Sequence, residues 1–349
     1  MSKLLTVVTS TYNKGDRNRA SIQSILDQTY RDFDYIVVND GSSDHTKAVL
    51  NEFRDPRLKI IHQENKSFVK TMCSVMSQIN TPYVAIQGAG DISLPKRFEI
   101  QLKYLAKRKD LGAVGCNFSY IDEVGKIIKF PESEYIEYTS VEQMIDRNIF
   151  NHGEVMLRLE SYQSVGGYRS FFVYSQDRDL WLRLLEICKI ARLPEHLYSK
   201  VISIGKDISG NPSKVEKQAL YSLFNRYLAK RRLDNIPDPQ TGVEMEALFE
   251  SYVRQLPEHK KLEVANEIFR SGVRFSLENL DKKFNPEAAV EIIKKYNPEH
   301  PWVKRVLLAQ KFDQYIIGGK PIYSLMSSAE SVLRRLKRRL NYKLKAFKI

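Results

Sequence analysis

Between residues 4 and 106, short apolar and β-branched runs alternate with segments of helical spacing. The runs Leu4–Thr9 (LLTVVT), Asp34–Asn39 (DYIVVN), Leu58–His62 and Tyr83–Gln87 read as strands. The segments Arg19–Gln28, Thr46–Phe53, Ser67–Ile79 and Pro95–Ala106 read as helices, the first on the spacing of Ile22, Ile25 and Leu26. Strands that alternate with helices of this length predict an α/β fold, a parallel sheet covered on both faces. Such sheets bind ligands beyond the carboxyl ends of their strands. Those ends are polar at Thr9–Asn13, Asp40–Ser43 and Gly88–Asp91. Three of them on one rim predict a site there.

After residue 205 the pattern changes to amphipathic helices with short Pro, Gly or Asn breaks, at Lys214–Arg232, Val243–Gln255, His259–Arg270, Pro286–Tyr296 and Trp302–Gln314. The 349 residues therefore divide into an α/β domain over 1–205, a helical C-terminal domain over 206–330 and a tail over 331–349. The net charge of +13 is uneven. Residues 1–205 carry 27 Lys/Arg against 25 Asp/Glu, whereas the last nineteen residues hold eight bases and no acid. That balance argues against a nucleic-acid groove in the main body, and no nucleic-acid partner is expected. In the tail, Leu333, Leu336, Leu340, Leu344 and Phe347 recur at helical spacing among the bases, which predicts a helix lying on an anionic membrane surface. The opening MSKLLTVVTSTYN lacks the pattern of a secretory leader, and no apolar run is long enough to span a bilayer. With three cysteines in no metal-type spacing, the expectation is a cytoplasmic protein, peripheral at the inner face of the membrane. The helical domain offers an interface for a homo-oligomer.

Ser10-Thr11-Tyr12-Asn13, followed by SIQSILDQTYRDFDYIVVNDGSSDHT (21–46), resembles the N-terminal signature of family 2 glycosyltransferases. Four later blocks agree with it in order and spacing: YVAIQGAGDISLPKRFEIQ (83–101), HGEVMLR (152–158), VGGYRSFFVYSQDRDLWLR (165–183) and LPEHLYSK (193–200). The resemblance covers residues 3–205. It implies the GT-A fold, a Rossmann-like and mostly parallel sheet with helices on both faces. It also implies transfer of a sugar from a nucleotide-sugar donor, with UDP the expected nucleotide, to a hydroxyl of a glycan or lipid-linked acceptor, inverting the anomeric centre. The Arg/Gln-x-x-Arg-Trp signature of processive polysaccharide synthases is absent from the sequence, so a single addition is expected.

The resemblance assigns roles residue by residue. Tyr12 stacks on the base while Ser10, Thr11 and Asn13 grip the nucleotide, with Lys70 on the same side. Asp40 accepts from the ring N–H of a uracil. The family's Asp-x-Asp loop falls on Gly88-Ala89-Gly90, so both of its carboxylates are glycines and Asp91 alone remains. Two readings follow. Either Mn2+ or Mg2+ is held through Asp91 with substrate phosphates and water, or cations such as Lys70, Lys96 or Arg97 neutralise the diphosphate near Gly90. The family's Glu-Asp pair falls on Gln176-Asp177, which makes Asp177 the general base. Gln176 and His152 contact donor or acceptor. Asp179 is counted among the same lining residues, with pairing to a nearby cation as its orienting role. The rival reading is a catalytically inactive nucleotide-sugar-binding protein of the same fold.

Overall fold

The computed structural model describes residues 3–129, 134–202, 211–278, 286–301, 303, 316–317 and 320–321. Chain order begins β1 (Leu5–Thr11), α1 (Arg17–Leu26), β2 (Phe33–Asp40), α2 (Thr46–Leu50), β3 (Leu58–Gln63), α3 (Phe68–Met76) and β4 (Tyr83–Ile86). The alternation legible in the sequence is therefore the alternation of the fold. There follow β5 (Ile92–Ser93), α4 (Arg97–Lys107), β6 (Leu111–Ile121), β7 (Ile127–Lys129), β8 (Ile136–Tyr138), α5 (Val141–Asp146), a 3-10 turn (His152–Glu154), β9 (Met156–Arg158), α6 (Leu159–Ser164), α7 (Gln176–Leu184) and β10 (Lys189–Val201).

The main path of the sheet runs β3-β2-β1-β4-β9-β6-β10-β5. β2 and β4 flank β1 in parallel, Leu5 facing Phe33 on one side and Tyr83 on the other, and β3 extends the parallel set. β9 is antiparallel to both β4 and β6, and β10 is parallel to β6. Side chains alternate across each strand, so neighbouring residues feed different cores. Leu5, Val7, Tyr35, Val37 and Ala85 face the core built with Ile22 and Ile25 of α1 and Phe98 and Leu102 of α4. Val8, Val38, Val84 and Ile86 face the opposite core, with Met72 and Val75 of α3 and Trp181 and Leu182 of α7. Apolar residues on both faces of one strand are what a doubly covered parallel sheet requires.

Two long helices follow, α8 (Pro212–Leu233) and α9 (Gly242–Arg254). The boundary does not fall at 205. The compact unit carrying the sheet also takes in Tyr221–Tyr252. Phe172 seals that addition, buried with Phe224, Leu228 and Met245 and flanked by Phe171, Tyr221, Phe249 and Tyr252. A second unit contains α10 (Glu258–Glu278) and α11 (Pro286–Tyr296). Val264, Ala265 and Ile268 on one, and Ala289, Val290 and Ile293 on the other, are buried at helical spacing. Two-residue strands β11 (Ile316–Ile317) and β12 (Lys320–Pro321) pair antiparallel. The helix expected over Trp302–Gln314 lies almost wholly outside the described residues, and so does the basic segment 331–349. Among the described residues no helix is long and apolar enough to cross a membrane.

Candidate active site

The three polar strand ends do share one rim, because β2, β1 and β4 are adjacent and parallel. At the end of β1, Ser10 is half-buried and Tyr12 is half-exposed, its ring available to a flat ligand. Thr11 is turned inward, its Oγ1 donating to Asn18 at 3.0 Å. Asn13 adopts φ +50 and clamps the turn after β2. Its Oδ1 accepts from Ser43 N at 2.8 Å, and its own N–H donates to Ser42 Oγ at 3.0 Å. Asn13 therefore shapes the rim through the turn it holds, a different task from the direct grip expected of it.

Asp40 ends β2 and is 2% exposed. Its Oδ1 accepts three hydrogen bonds, from Gln63 Nε2 at 2.7 Å, Lys66 N at 2.9 Å and Thr71 Oγ1 at 3.0 Å. Oδ2 accepts none among the described residues. The three donors fix the carboxylate and leave one oxygen for a ligand N–H. Lys70 is exposed on α3, one residue before Thr71.

After β4 the glycine loop turns on Gly90, at φ +89. Asp91 does not reach outward from it. Its Oδ2 accepts from Tyr198 Oη at 2.6 Å and its Oδ1 from Val201 N at 2.9 Å, both on β10. The Gly88 amide also donates to Tyr198 Oη, at 3.2 Å. A Cβ on Gly88 would stand 2.7 Å from that oxygen and overlap Asp91 Oδ2. The inward carboxylate and the missing side chain are thus one arrangement. Burial raises the Asp91 carboxyl above the usual range, against the pull of Tyr198, Lys200, the Val201 amide and Lys14.

Arg97, expected beside the diphosphate, is instead fully buried in the core. Its guanidinium donates to Gln101 Oε1, Gln87 Oε1, Ser93 Oγ and the carbonyl of Ile86, and lies over the ring of Tyr198. It braces the glycine loop from below. The sequence did not distinguish this because LPKRFE places Arg97 in the first turn of a surface helix, and only the packing of α4 turns it inward.

The second half of the rim comes from α7. Ser175, at φ +53, precedes the helix, and its carbonyl accepts from Asn225 Nδ2 of α8 at 2.8 Å. Gln176 and Asp177 follow, both half-buried. Asp177 Oδ1 accepts from the neighbouring Arg178 N–H at 2.8 Å and from no other described group. Arg178 anchors this turn through Ser222 Oγ and the carbonyl of Met144. Asp179 points the other way, 2% exposed and ion-paired with Arg169 and, at 2.7 Å, with Arg183. Burial pushes its carboxyl up, but Arg183 and Arg169 outweigh it and hold the group below the usual range. Asp179 is thus withdrawn from the lining residues. It keeps the orienting role.

His152 sits opposite Asp177 in the 3-10 turn, packed between Phe68, Tyr168 and Trp181, with Nε2 2.6 Å from Tyr168 Oη. Burial lowers its basicity and Lys200 acts the same way, while Asp177 opposes them. The net effect leaves the imidazole less basic than an ordinary histidine. Lys200 was missed by sequence reasoning. It lies within electrostatic reach of both Asp91 and His152, and its Nζ donates to Asn151 Oδ1 at 3.0 Å. The available signal was the spacing of Tyr198 and Lys200, two apart on a strand and hence on one face.

The sequence model of glycosyl transferase family 2 matches residues 6–166. The O-antigen biosynthesis glycosyltransferase WbnJ of Escherichia coli is 31% identical over 222 residues, which cover 62% of this chain and 85% of that protein. The chain belongs to glycosyltransferase family 2. Two solved structures share its fold. The mannosyltransferase PcManGT from Pyrobaculum calidifontis, in complex with GDP-Man and Mn2+, has a TM-score of 0.50 at 13% identity over 94% of this chain and 85% of its own. S. aureus TarS 1-349 in complex with UDP has a TM-score of 0.50 at 13% identity, over 90% and 95%.

That membership makes the glycine loop a departure from the Asp-x-Asp pattern, and a divalent metal has to be tested against the residues present. Among the described residues no group of three His, Cys, Asp or Glu side chains is placed to share an ion. Asp91 is the carboxylate left in the loop, and O–H and N–H donors occupy both of its oxygens. Lys14 and Lys200 act on it as positive charges. A metal ion here would have to displace Tyr198 or Val201 and then sit among those cations. The donor set does not fit a metal.

Proposed function

We propose that this protein transfers one sugar from a nucleotide-sugar donor, UDP-linked, to a hydroxyl of a glycan or lipid-linked acceptor, with inversion. The observation that carries the reading is Asp177, a carboxylate half-buried on the rim and held by its helix turn, whose one hydrogen bond among the described residues is from its neighbour's amide. In the step, the acceptor oxygen bonds to the anomeric carbon while that carbon's bond to the β-phosphate oxygen breaks. The bonding pair leaves on the phosphate, and the hydroxyl proton passes to Asp177. Tyr12 and the open oxygen of Asp40 would take the base, and His152 would contact the acceptor side. The relative in O-antigen biosynthesis supports a glycan acceptor, and the structures with UDP and GDP-Man support a nucleotide-sugar donor. The basic segment 331–349 would place the enzyme on the inner, anionic face of a membrane.

The first test is thermal stabilisation by UDP, GDP and dTDP. A ligand that binds only the folded state raises the melting temperature by mass action. One nucleotide should stand out, and failure of all three to stabilise would remove the reading. The altered loop also favours a second reading, a nucleotide-sugar-binding protein without turnover. Nucleotide binding with no transfer or donor hydrolysis across a panel of acceptors would select it.

A further inference from the structure

Three cations lie near the loop that lost its carboxylates: Arg17 of α1 beside Gly90, and Lys200 of β10 and Lys14 of the β1–α1 loop, both acting on Asp91. A Cβ on Gly90 would have one neighbour within 4 Å, the Cβ of Arg17 at 3.5 Å, so the Arg17 side chain of α1 starts beside the place a residue 90 side chain would take. Its Nη1 lies 3.7 Å from Glu123 Oε1, a loose pair on a half-exposed glutamate that a more highly charged anion can replace. From β10, Lys200 reaches Asn151 beside His152. Lys14, in the loop between β1 and α1, has its amide pinned to Thr46 Oγ1 at 3.1 Å. The Asn151 loop is itself braced. Glu154 Oε1 accepts from Asn151 N at 2.7 Å, so the oxygen that receives Lys200 is held in place.

Resting on the glycosyltransfer reading above, we infer that Arg17 and Lys200, assisted by Lys14, neutralise the departing nucleoside diphosphate, and that the enzyme works without a divalent metal. In the family pattern a carboxylate at position 90 recruits a positive ion to the diphosphate. Here the glycine leaves that direction to an arginine, and the lysine opposite supplies the second charge. When the anomeric carbon–oxygen bond breaks, its electron pair comes to rest on the β-phosphate oxygen. Fixed cations stabilise that charge without being recruited from solvent. A guanidinium suits the task, since its planar fork matches the geometry of phosphate oxygens. Asp91 then serves as an internal brace, tying the loop to β10 at Tyr198 and Val201 and so setting the distance between the two cation-bearing sides.

The test is calorimetric binding of UDP and GDP to the full chain, in EDTA and again with manganese. One nucleotide should bind in EDTA, and manganese should change its dissociation constant by less than twofold. Arg17→Ala and Lys200→Ala should each weaken binding at least tenfold, and Lys200→Arg should restore most of it. Lys107→Ala, which removes an exposed charge at the end of α4, should change nothing. Each variant's urea midpoint checks that it is folded, and Lys200→Arg keeps the test decisive if Lys200→Ala is not. Tenfold tighter binding with manganese, or undiminished binding by both alanine variants, overturns the cation assignment while leaving the glycosyltransfer reading intact. If neither nucleotide binds under any condition, the glycosyltransfer reading fails and takes this inference with it.

Discussion

Tyr198 Oη donates to Asp91 Oδ2 at 2.6 Å and accepts from the Gly88 amide at 3.2 Å, joining β10 to the glycine loop after β4 across more than a hundred residues of sequence. The contact fills the space that a side chain at position 88 would take. Replacing the phenol by Phe removes it and leaves a buried acceptor and a buried donor unpaired. Tyr198→Phe is expected to cost roughly 1–3 kcal/mol, on the scale of unsatisfied buried polar groups. Urea unfolding of the two proteins measures this, and an unchanged midpoint would show the loop to be held by other means.

Asp177→Asn should lower the turnover number by about 10²–10⁴-fold, the usual worth of a positioned base, while nucleotide affinity stays where it was. The substitution keeps the shape of the side chain and removes the proton acceptor. Parallel turnover and calorimetric measurements separate the two quantities. A comparable loss of affinity would assign Asp177 to donor binding and leave the base unidentified.

Glu154 introduces a pH dependence with a definite sign. Burial pushes its carboxyl up to about 8 from an ordinary 4.5, against the pull of the Asn151 and Glu154 backbone amides, Arg97 and Lys200. The folded state binds this proton more tightly than the unfolded chain does, so the contribution is fully present below about 4.5. It is lost progressively as the pH rises to about 8. Asp91, also raised, adds a slope of the same sign. Glu154→Gln keeps the acceptor for Asn151 N and removes the titration. Its stability should therefore fall less than wild type's between pH 5 and pH 8 on the same unfolding assay. Parallel curves would place the ionised carboxylate in the folded protein.

Deleting residues 331–349 should release the protein from anionic liposomes, since eight basic residues near such a surface contribute about 1 kcal/mol each. Transfer to a soluble acceptor should be unaffected. Co-sedimentation with phosphatidylserine vesicles decides it, and equal binding by the shortened chain would locate the membrane contact elsewhere or remove it.

Local pattern carried much of the fold. The short apolar and β-branched runs named β1 to β4, the helical spacings named α1, α3, α4 and the helices from α8 to α11, and the order of polar strand ends named the rim. The positions of Asp40 at the end of β2 and Asp177 at the start of α7 were legible because each follows from a few neighbouring residues; the roles proposed for them rest on the family resemblance. Arg97, Tyr198 and Lys200 were not legible, while for Asp179 the sequence told of its pairing with a cation but not of its withdrawal from the lining. A charged residue in the first turn of a helix reads as solvated, yet Arg97 is buried in a hydrogen-bond network.

Periodicity and residue type carried the order of elements from β1 to β4 and the doubly covered sheet, because local sterics and burial enforce both. The family, and with it the loss of two carboxylates from one loop, came from the resemblance of five ordered motifs. The directions of the remaining charges came only with the packed fold. The direction of Asp91 depends on Tyr198, the placing of the turn that carries Asp177 on Asn225 and Ser222, and the nearness of Lys200 to Asp91 and His152 on β10 lying beside β6. Such long-range pairings are settled by packing density and by the cost of leaving a buried polar group unpaired, and neither is written in any short stretch of the chain.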